Sequence, residues 1–320
     1  MNDVLVAPRY RANRVGSFLK HVLWRAASHV ALYGLCGWDL ETRWLTLERR
    51  EAFLPGLGGE LDGLRVAHLS DLHLSPIMRQ RHLAKYIELT NELQPDFAVI
   101  TGDFVWASAR CYARQVAEIV GELSPKIGTI AVLGNHDYGV WMPGGHNGLS
   151  GLAEYLIDRL RDHGATVLHN DSLVYRRGSA AVAFAGVGDL WTRHYDPAAA
   201  MDAVPTETPI IALTHNPDAS GDLARLGADY VLAGHTHGKA VPDTPLNNLL
   251  FPVVYRDFAA GEYTLGSHRR LYVNRGLGPS RRVQDDHRPE ISLLTFRSGS
   301  NCRTGDFCTL PRYLTTRALE

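Results

Sequence analysis

From residue 64 to residue 296 the chain alternates short apolar blocks with polar, glycine-bearing turns. The apolar blocks at residues 64–69, 97–100 and 129–133 are separated by segments whose apolar side chains recur at helical spacing. Leu83, Tyr86, Ile87 and Thr90 share one helical face that Leu93 continues until Gln94-Pro95 stops it, and Leu152, Tyr155, Leu156 and Leu160 form a second face that ends at Gly164. Beyond about residue 165 the rhythm changes. Blocks at 166–168, 173–175, 180–185, 209–213, 230–233, 261–265, 271–274 and 291–296 predict a strand-rich second half. Alternation followed by strands predicts an α/β fold of mixed sheets with outer helices.

The N-terminal residues follow a different pattern. Val15, Phe18, Leu19, Val22, Leu23, Ala26, Ala27 and Val30 fall on one helical face, with Arg14, Ser17, Lys20, His21, Arg25 and Ser28 opposite. Up to Trp38 the segment carries five basic side chains (Arg9, Arg11, Arg14, Lys20, Arg25) against one acid, Asp3, in a chain of net charge −1. Charges interrupt it too often for a spanning helix, which needs about 20 predominantly apolar residues. It reads as a basic amphipathic helix, residues 14–36, that lies on an anionic membrane surface with Trp24 at its border. Packing of the same helix on the catalytic domain or on a second subunit is the competing expectation. Residues 1–50 are expected to form this segment, 51–298 one catalytic domain, and 299–320 a tail without a readable motif.

Composition narrows the rest. The net charge of −1 argues against a nucleic-acid partner, since such chains normally show a basic excess. Cys36, Cys111, Cys302 and Cys308 are scattered without C-x-x-C spacing, so neither a zinc ribbon nor a disulfide framework is expected. Unpaired thiols and no cleavable signal predict the cytoplasm, with peripheral attachment to the inner face of the cytoplasmic membrane if the helix binds lipid.

The chemistry lies at the ends of the apolar blocks. Five motifs occur in order: Asp71-Leu72-His73, Gly102-Asp103, Gly134-Asn135-His136-Asp137, Thr214-His215 and Gly234-His235-Thr236-His237. Any one of them arises easily in a chain with 15 His; the ordered set, with strand-like runs before most members, does not. In open α/β sheets side chains converge at the carboxyl ends of strands. Oxygen and imidazole ligands suit two divalent cations roughly 3.5 to 4 Å apart, which activate water and neutralise a phosphoryl transition state. Asp71, His73 and His237 are expected on one ion, Asn135, His215 and His235 on the other, and Asp103 as the bridge. With only two carboxylates the site keeps positive charge for an anionic phosphate. His136, beside Asp137, is expected to be the general acid, with Asp137 orienting its ring and favouring imidazolium.

These blocks resemble the calcineurin-like metallophosphoesterase superfamily, whose pattern runs Asp-x-His, Gly-Asp, Gly-Asn-His-Asp/Glu, His, Gly-His-x-His. The resemblance covers about residues 61–296. It is nearest to a bacterial membrane-associated phosphodiesterase group, similar to UDP-2,3-diacylglucosamine hydrolases, through Ser70 to Ser75, Thr101 to Phe104, Gly134 to Gly139, Tyr272 to Gly278 and Pro289-Glu290-Ile291. It implies a two-sheet sandwich flanked by helices in four layers, two metal ions (manganese, iron or zinc), and hydrolysis of a phosphodiester or pyrophosphate bond. Protein Ser/Thr phosphatases of the superfamily carry Asp-Arg where this chain has Trp106-Ala107, and Glu where it has Asp137, which turns the expectation away from phosphoproteins. Related chains often read Gly-Gly-Gln where this one reads Gly238-Lys239-Ala240. Lys239 and Arg275 are the expected substrate-phosphate contacts. With the N-terminal helix, the expected substrate is a phosphate-ester small molecule or a nucleotide-linked lipid; a soluble broad-range phosphodiesterase and a non-catalytic metal-binding scaffold are the alternatives.

Overall fold

The computed structural model describes residues 45–76, 78–106, 110–141, 143, 151–238, 258–266, 268–278 and 288–299. The amphipathic segment, Lys239 and residues 300–320 of the expected tail lie outside the described residues.

Twelve described strands form two mixed sheets. The first sheet is built from β1 (Thr46–Pro55), β2 (Leu64–Leu69), β3 (Phe97–Thr101), β4 (Gly128–Val132), β5 (Ala165–Val167) and β12 (Glu290–Gly299), in the order β1-β12-β2-β3-β4-β5. The second contains β6 (Asp171–Arg177), β7 (Ala180–Gly186), β8 (Ile210–Leu213), β9 (Tyr230–Ala233), β10 (Gly261–Leu265) and β11 (Arg269–Val273), in the order β10-β11-β9-β8-β7-β6. Helices α1 (Gln80–Glu92), α2 (Arg110–Val120) and α3 (Leu152–Asp162) belong with the first sheet, and the short α4 (Pro197–Asp202) and α5 (Ser220–Arg225) with the second.

The two-residue period of the strands sorts side chains between layers. Val66, Phe97, Val99, Ile130 and Val132 face Val182, Phe184, Ile211, Leu213 and Leu232 in a core between the sheets. Their neighbours Ala67, Leu69, Ile100 and Ala131 turn outward under Leu83, Ile87, Val116 and Leu156 of the helices. Ala183, Ala185, Ala212 and Val231 do the same beneath Met201 and Leu223. Burial on both faces explains why these strands read as continuous apolar runs. The expected helical faces are the buried ones: Leu83, Tyr86, Ile87 and Thr90 in α1, and Leu152, Leu156 and Leu160 in α3.

β1 crosses the boundary expected between residues 50 and 51, so Thr46 to Arg50 belong to the first sheet, paired in parallel with β12. Among the described residues no helix is long and apolar enough to cross a membrane.

Candidate dinuclear metal centre

β2, β3 and β4 are adjacent and parallel, and so are β8 and β9. The segments leaving their carboxyl ends therefore emerge together. β2 delivers Asp71 and His73, β3 delivers Asp103, β4 delivers Asn135 and His136, β8 delivers His215, and β9 delivers His235 and His237.

The turns are tight and specific. Asp71, His73, Asp103, His235 and His237 all have left-handed backbone, with φ of 51°, 48°, 54°, 72° and 52°. Non-glycine residues rarely accept such φ values, which cluster at functional sites because the surroundings must over-determine them. Here the surroundings are backbone amides: Asp71 N donates to Gly102 O at 2.9 Å, and His73 N to Asp103 O at 2.9 Å. Two glycines are set by close approach. A Cβ on Gly134 would overlap Asp103 Oδ1 and lie 2.8 Å from His215 Cγ, and one on Gly234 would overlap Ser70 Oγ and lie 2.5 Å from Asp71 Oδ2.

The side chains converge in three overlapping groups: Asp71, His73 and His237; His73, Asp103 and His136; Asp103, His215 and His235. Asp103 links the two ends, with Oδ2 at 3.5 Å from His73 Nε2 and 3.1 Å from His215 Nε2. Its other oxygen accepts the His136 amide at 2.9 Å. Imidazole nitrogens meet head to head, His73 Nε2 to His237 Nε2 at 3.1 Å and His235 Nδ1 to His215 Nε2 at 3.1 Å. His215 Nδ1 donates to Thr101 O at 2.7 Å, which orients the ring and turns Nε2 toward Asp103. Asn135 Nδ2 donates to Val140 O at 2.6 Å, while its Oδ1 is buried without a hydrogen bond, as is Asp71 Oδ1.

Buried acceptors without donors and nitrogens aimed at one another fit a site that holds cations. The electrostatics agree. Burial pushes the Asp71 carboxyl up to about 6, and it carries the His235 imidazole down to about 3 and His73 well below its usual range. Neutral imidazole is the ligating form. Asp103 is also penalised by burial, but His215, His136 and His73 outweigh that and hold it well below the carboxylate range. His215, against its own burial, is lifted by Asp103 to about 10.

Three expectations need correction. Asp137 does not orient the His136 ring: its Oδ2 accepts Gly134 N at 2.9 Å and its Oδ1 accepts Val105 N at 3.2 Å, so it pins the backbone of two site loops. Nor is imidazolium favoured at His136, whose pKa burial lowers. Its ring still borders the cluster, with Nε2 3.8 Å from Asp103 Oδ2 and 13% of the side chain exposed. Arg275 is not a phosphate clamp. Its Nε donates to Glu290 at 2.5 Å and its second terminal nitrogen to Glu48 at 2.9 Å, tying β1 to β12.

Other residues enter the site without having been assigned to it. The segment after β11 backs Asp71, with Gly278 N donating to Asp71 O at 2.6 Å and Leu277 N to Ser70 O at 2.9 Å. Asn274 anchors that segment, its Nδ2 donating to His68 O at 3.1 Å and its Oδ1 accepting Gly276 N at 2.7 Å. Asp189 is fully buried, its carboxyl raised to about 7 chiefly by burial, with His215 and Asp103 near enough to act on it. Three tryptophans pack on the histidines. Trp106 lies 4.8 Å from His73 and 5.0 Å from His136, Trp141 lies 4.3 Å from His136, and Trp191 lies 4.5 Å from His235. The only sequence signal for Trp106 was its place where phosphatases carry Asp-Arg; Trp141 and Trp191 gave none.

Comparison with known proteins places this arrangement. The calcineurin-like phosphoesterase family model matches residues 64–239, which contain all seven expected ligands. A Danio rerio transmembrane protein with metallophosphoesterase domain is 33% identical over 277 residues; the match covers 82% of this chain and 59% of that protein, so the chain spans little more than half its length. The UDP-2,3-diacylglucosamine pyrophosphatase LpxG of Chlamydia muridarum is 27% identical, covering 80% of this chain and 90% of the relative. Phosphodiesterase YaeI of Escherichia coli is 29% identical, covering 72% of this chain and 81% of that protein. With the family model spanning more than half the chain and the motif residues gathered at one end of two sheets, the chain belongs to the calcineurin-like phosphoesterases and is a phosphoester hydrolase.

Proposed function

We propose that the protein hydrolyses a phosphodiester or pyrophosphate bond with two divalent ions, manganese, iron or zinc, held by the residues around Asp103. The carrying observation is that Asp103 joins an Asp-His-His group on one side to a His-His pair on the other. Asp71, His73 and His237 would hold one ion and Asn135, His215 and His235 the second. Bound ions supply Lewis acidity and an activated water.

The chain's own residues supply the rest. Thr101 O and Val140 O orient His215 and Asn135, so that ligand atoms need no reorganisation when the anionic substrate arrives. Asn135, being an amide, leaves the centre with fewer negative charges than a third carboxylate would. His136, at the margin of the cluster, is the group placed to protonate the leaving oxygen, provided that the charge of the bound phosphate offsets the lowering of its pKa by burial.

The substrate is best read as a phosphodiester or nucleotide-linked lipid near a membrane, supported by the relatives named as a UDP-2,3-diacylglucosamine pyrophosphatase and a phosphodiesterase and by the basic amphipathic pattern of residues 14–36. The test uses purified protein reconstituted separately with manganese, iron and zinc. Bis-p-nitrophenyl phosphate should be hydrolysed with at least one of them, and His136→Ala should lower kcat by about 10² to 10⁴ without loss of bound metal. No hydrolysis with any metal sinks the diesterase reading, and an unchanged kcat removes His136 from the mechanism. Equal rates on UDP-diacylglucosamine and a water-soluble diester, with and without residues 1–38, would favour the soluble alternative.

A further inference from the structure

Three indoles stand against the site's imidazoles, and none can serve as a metal ligand. They form two separate walls. Trp106 and Trp141 meet edge to face at 5.5 Å, and both pack on His136, Trp106 tilted only 31° from its ring. Trp191 stands edge-on, at 89°, to His235. Asp103 groups with His136 on one side and with His235 on the other, so the walls flank different parts of one centre.

The tryptophans are not ordinary core residues. Each is only half-buried. Yet the Nε1–H groups of Trp106 and Trp191 are shielded from water and donate to nothing among the described residues. Buried indole N–H groups normally find an acceptor, because leaving one unmade costs free energy. Half-exposed rings beside the centre offer planar, polarisable surface, which suits a planar ligand group; the shielded N–H groups lie in the ring planes and do not meet a group stacked on them.

We propose that these walls recognise the two ester substituents of a phosphodiester, and that Trp191 takes a planar, nucleobase-like group on the retained side. Trp106 and Trp141, beside the proton donor His136, flank the leaving group. The assignment rests on the diesterase reading above and deepens it.

Two chromogenic diesters that release the same p-nitrophenolate test it on the metal-loaded protein: thymidine 5′-p-nitrophenyl phosphate and p-nitrophenylphosphorylcholine. The native protein should favour the thymidine ester in kcat/KM by about tenfold, the scale of one aromatic stacking contact. Trp191→Ala should abolish that preference through KM, Trp191→Phe should retain most of it, and Trp106→Ala should lower both rates together. Phe53→Ala, on an exposed position of β1, serves as the control with both rates unchanged. Thymidine 5′-monophosphate should also quench tryptophan fluorescence of the metal-free protein, and do so less in Trp191→Phe. Two hydrolysed diesters with no preference in the native protein, or a preference that survives Trp191→Ala, overturns the wall. Failure to hydrolyse either one overturns the diesterase reading instead.

Discussion

Asp137 shows how far a single residue can be read from its neighbours. Adjacent to His136 in sequence, it looked like the partner of that ring, but consecutive side chains leave the backbone in different directions, and its carboxylate turns inward to Gly134 N and Val105 N. Which residues gather at the site was legible because metal chemistry restricts residue types; hydrogen-bond partners were not, because backbone amides have no signature in sequence. Asp137→Ala leaves two buried amides unpaired at about 1–3 kcal/mol each. The melting temperature should therefore fall and metal affinity with it, while the pH at which the His136-dependent limb of the rate profile turns stays put. A displaced limb at unchanged stability would restore Asp137 as the ring's partner.

At the scale of elements, long periodic segments declared themselves and short or charged ones did not. α1 and α3 carry their apolar stripe over three turns, whereas α4 and α5, six residues each, are too short to display one. α2 buries Ala113, Val116, Ala117 and Val120 at helical spacing, a pattern present in the sequence but interrupted by Arg114, Gln115 and Glu118. β1 is the clearest omission. An edge strand reading TLERREAFLP, it carries four consecutive charged residues, Glu48 to Glu51, between apolar ends and depends on tertiary ion pairs rather than burial on both faces. Arg275 is central to them, between Glu48 of β1 and Glu290 of β12. Its side chain is 15% exposed and that of Glu290 only 2%, so removing it leaves a buried carboxylate without its countercharge, held only by the Tyr272 and Ser292 hydroxyls, a loss of the kind that costs up to about 3–5 kcal/mol. Arg275→Ala should lower the denaturation midpoint by a matching amount with KM for a diester unchanged. A raised KM at native stability would instead return Arg275 to the phosphate site.

For the whole molecule, left-handed turns, two sheets that end together and a cluster of buried imidazoles all serve one arrangement. The sandwich core between the sheets fixes the relative height of β2, β3 and β4 against β8 and β9, so ligands far apart in sequence meet without either sheet having to move. Burial raises the Asp71 carboxyl and lowers the His73 and His235 imidazoles, while Asp103 and His215 hold each other in their charged forms; cations at the centre would take over the role of that imidazolium. The most direct test is a crystal structure of manganese-loaded protein with anomalous diffraction measured at the metal edge. Two peaks should appear roughly 3.5 to 4 Å apart, with the Asp103 carboxylate reaching both, Asp71, His73 and His237 around one, and Asn135, His215 and His235 around the other. A single peak, or two peaks that Asp103 does not touch, would contradict the account.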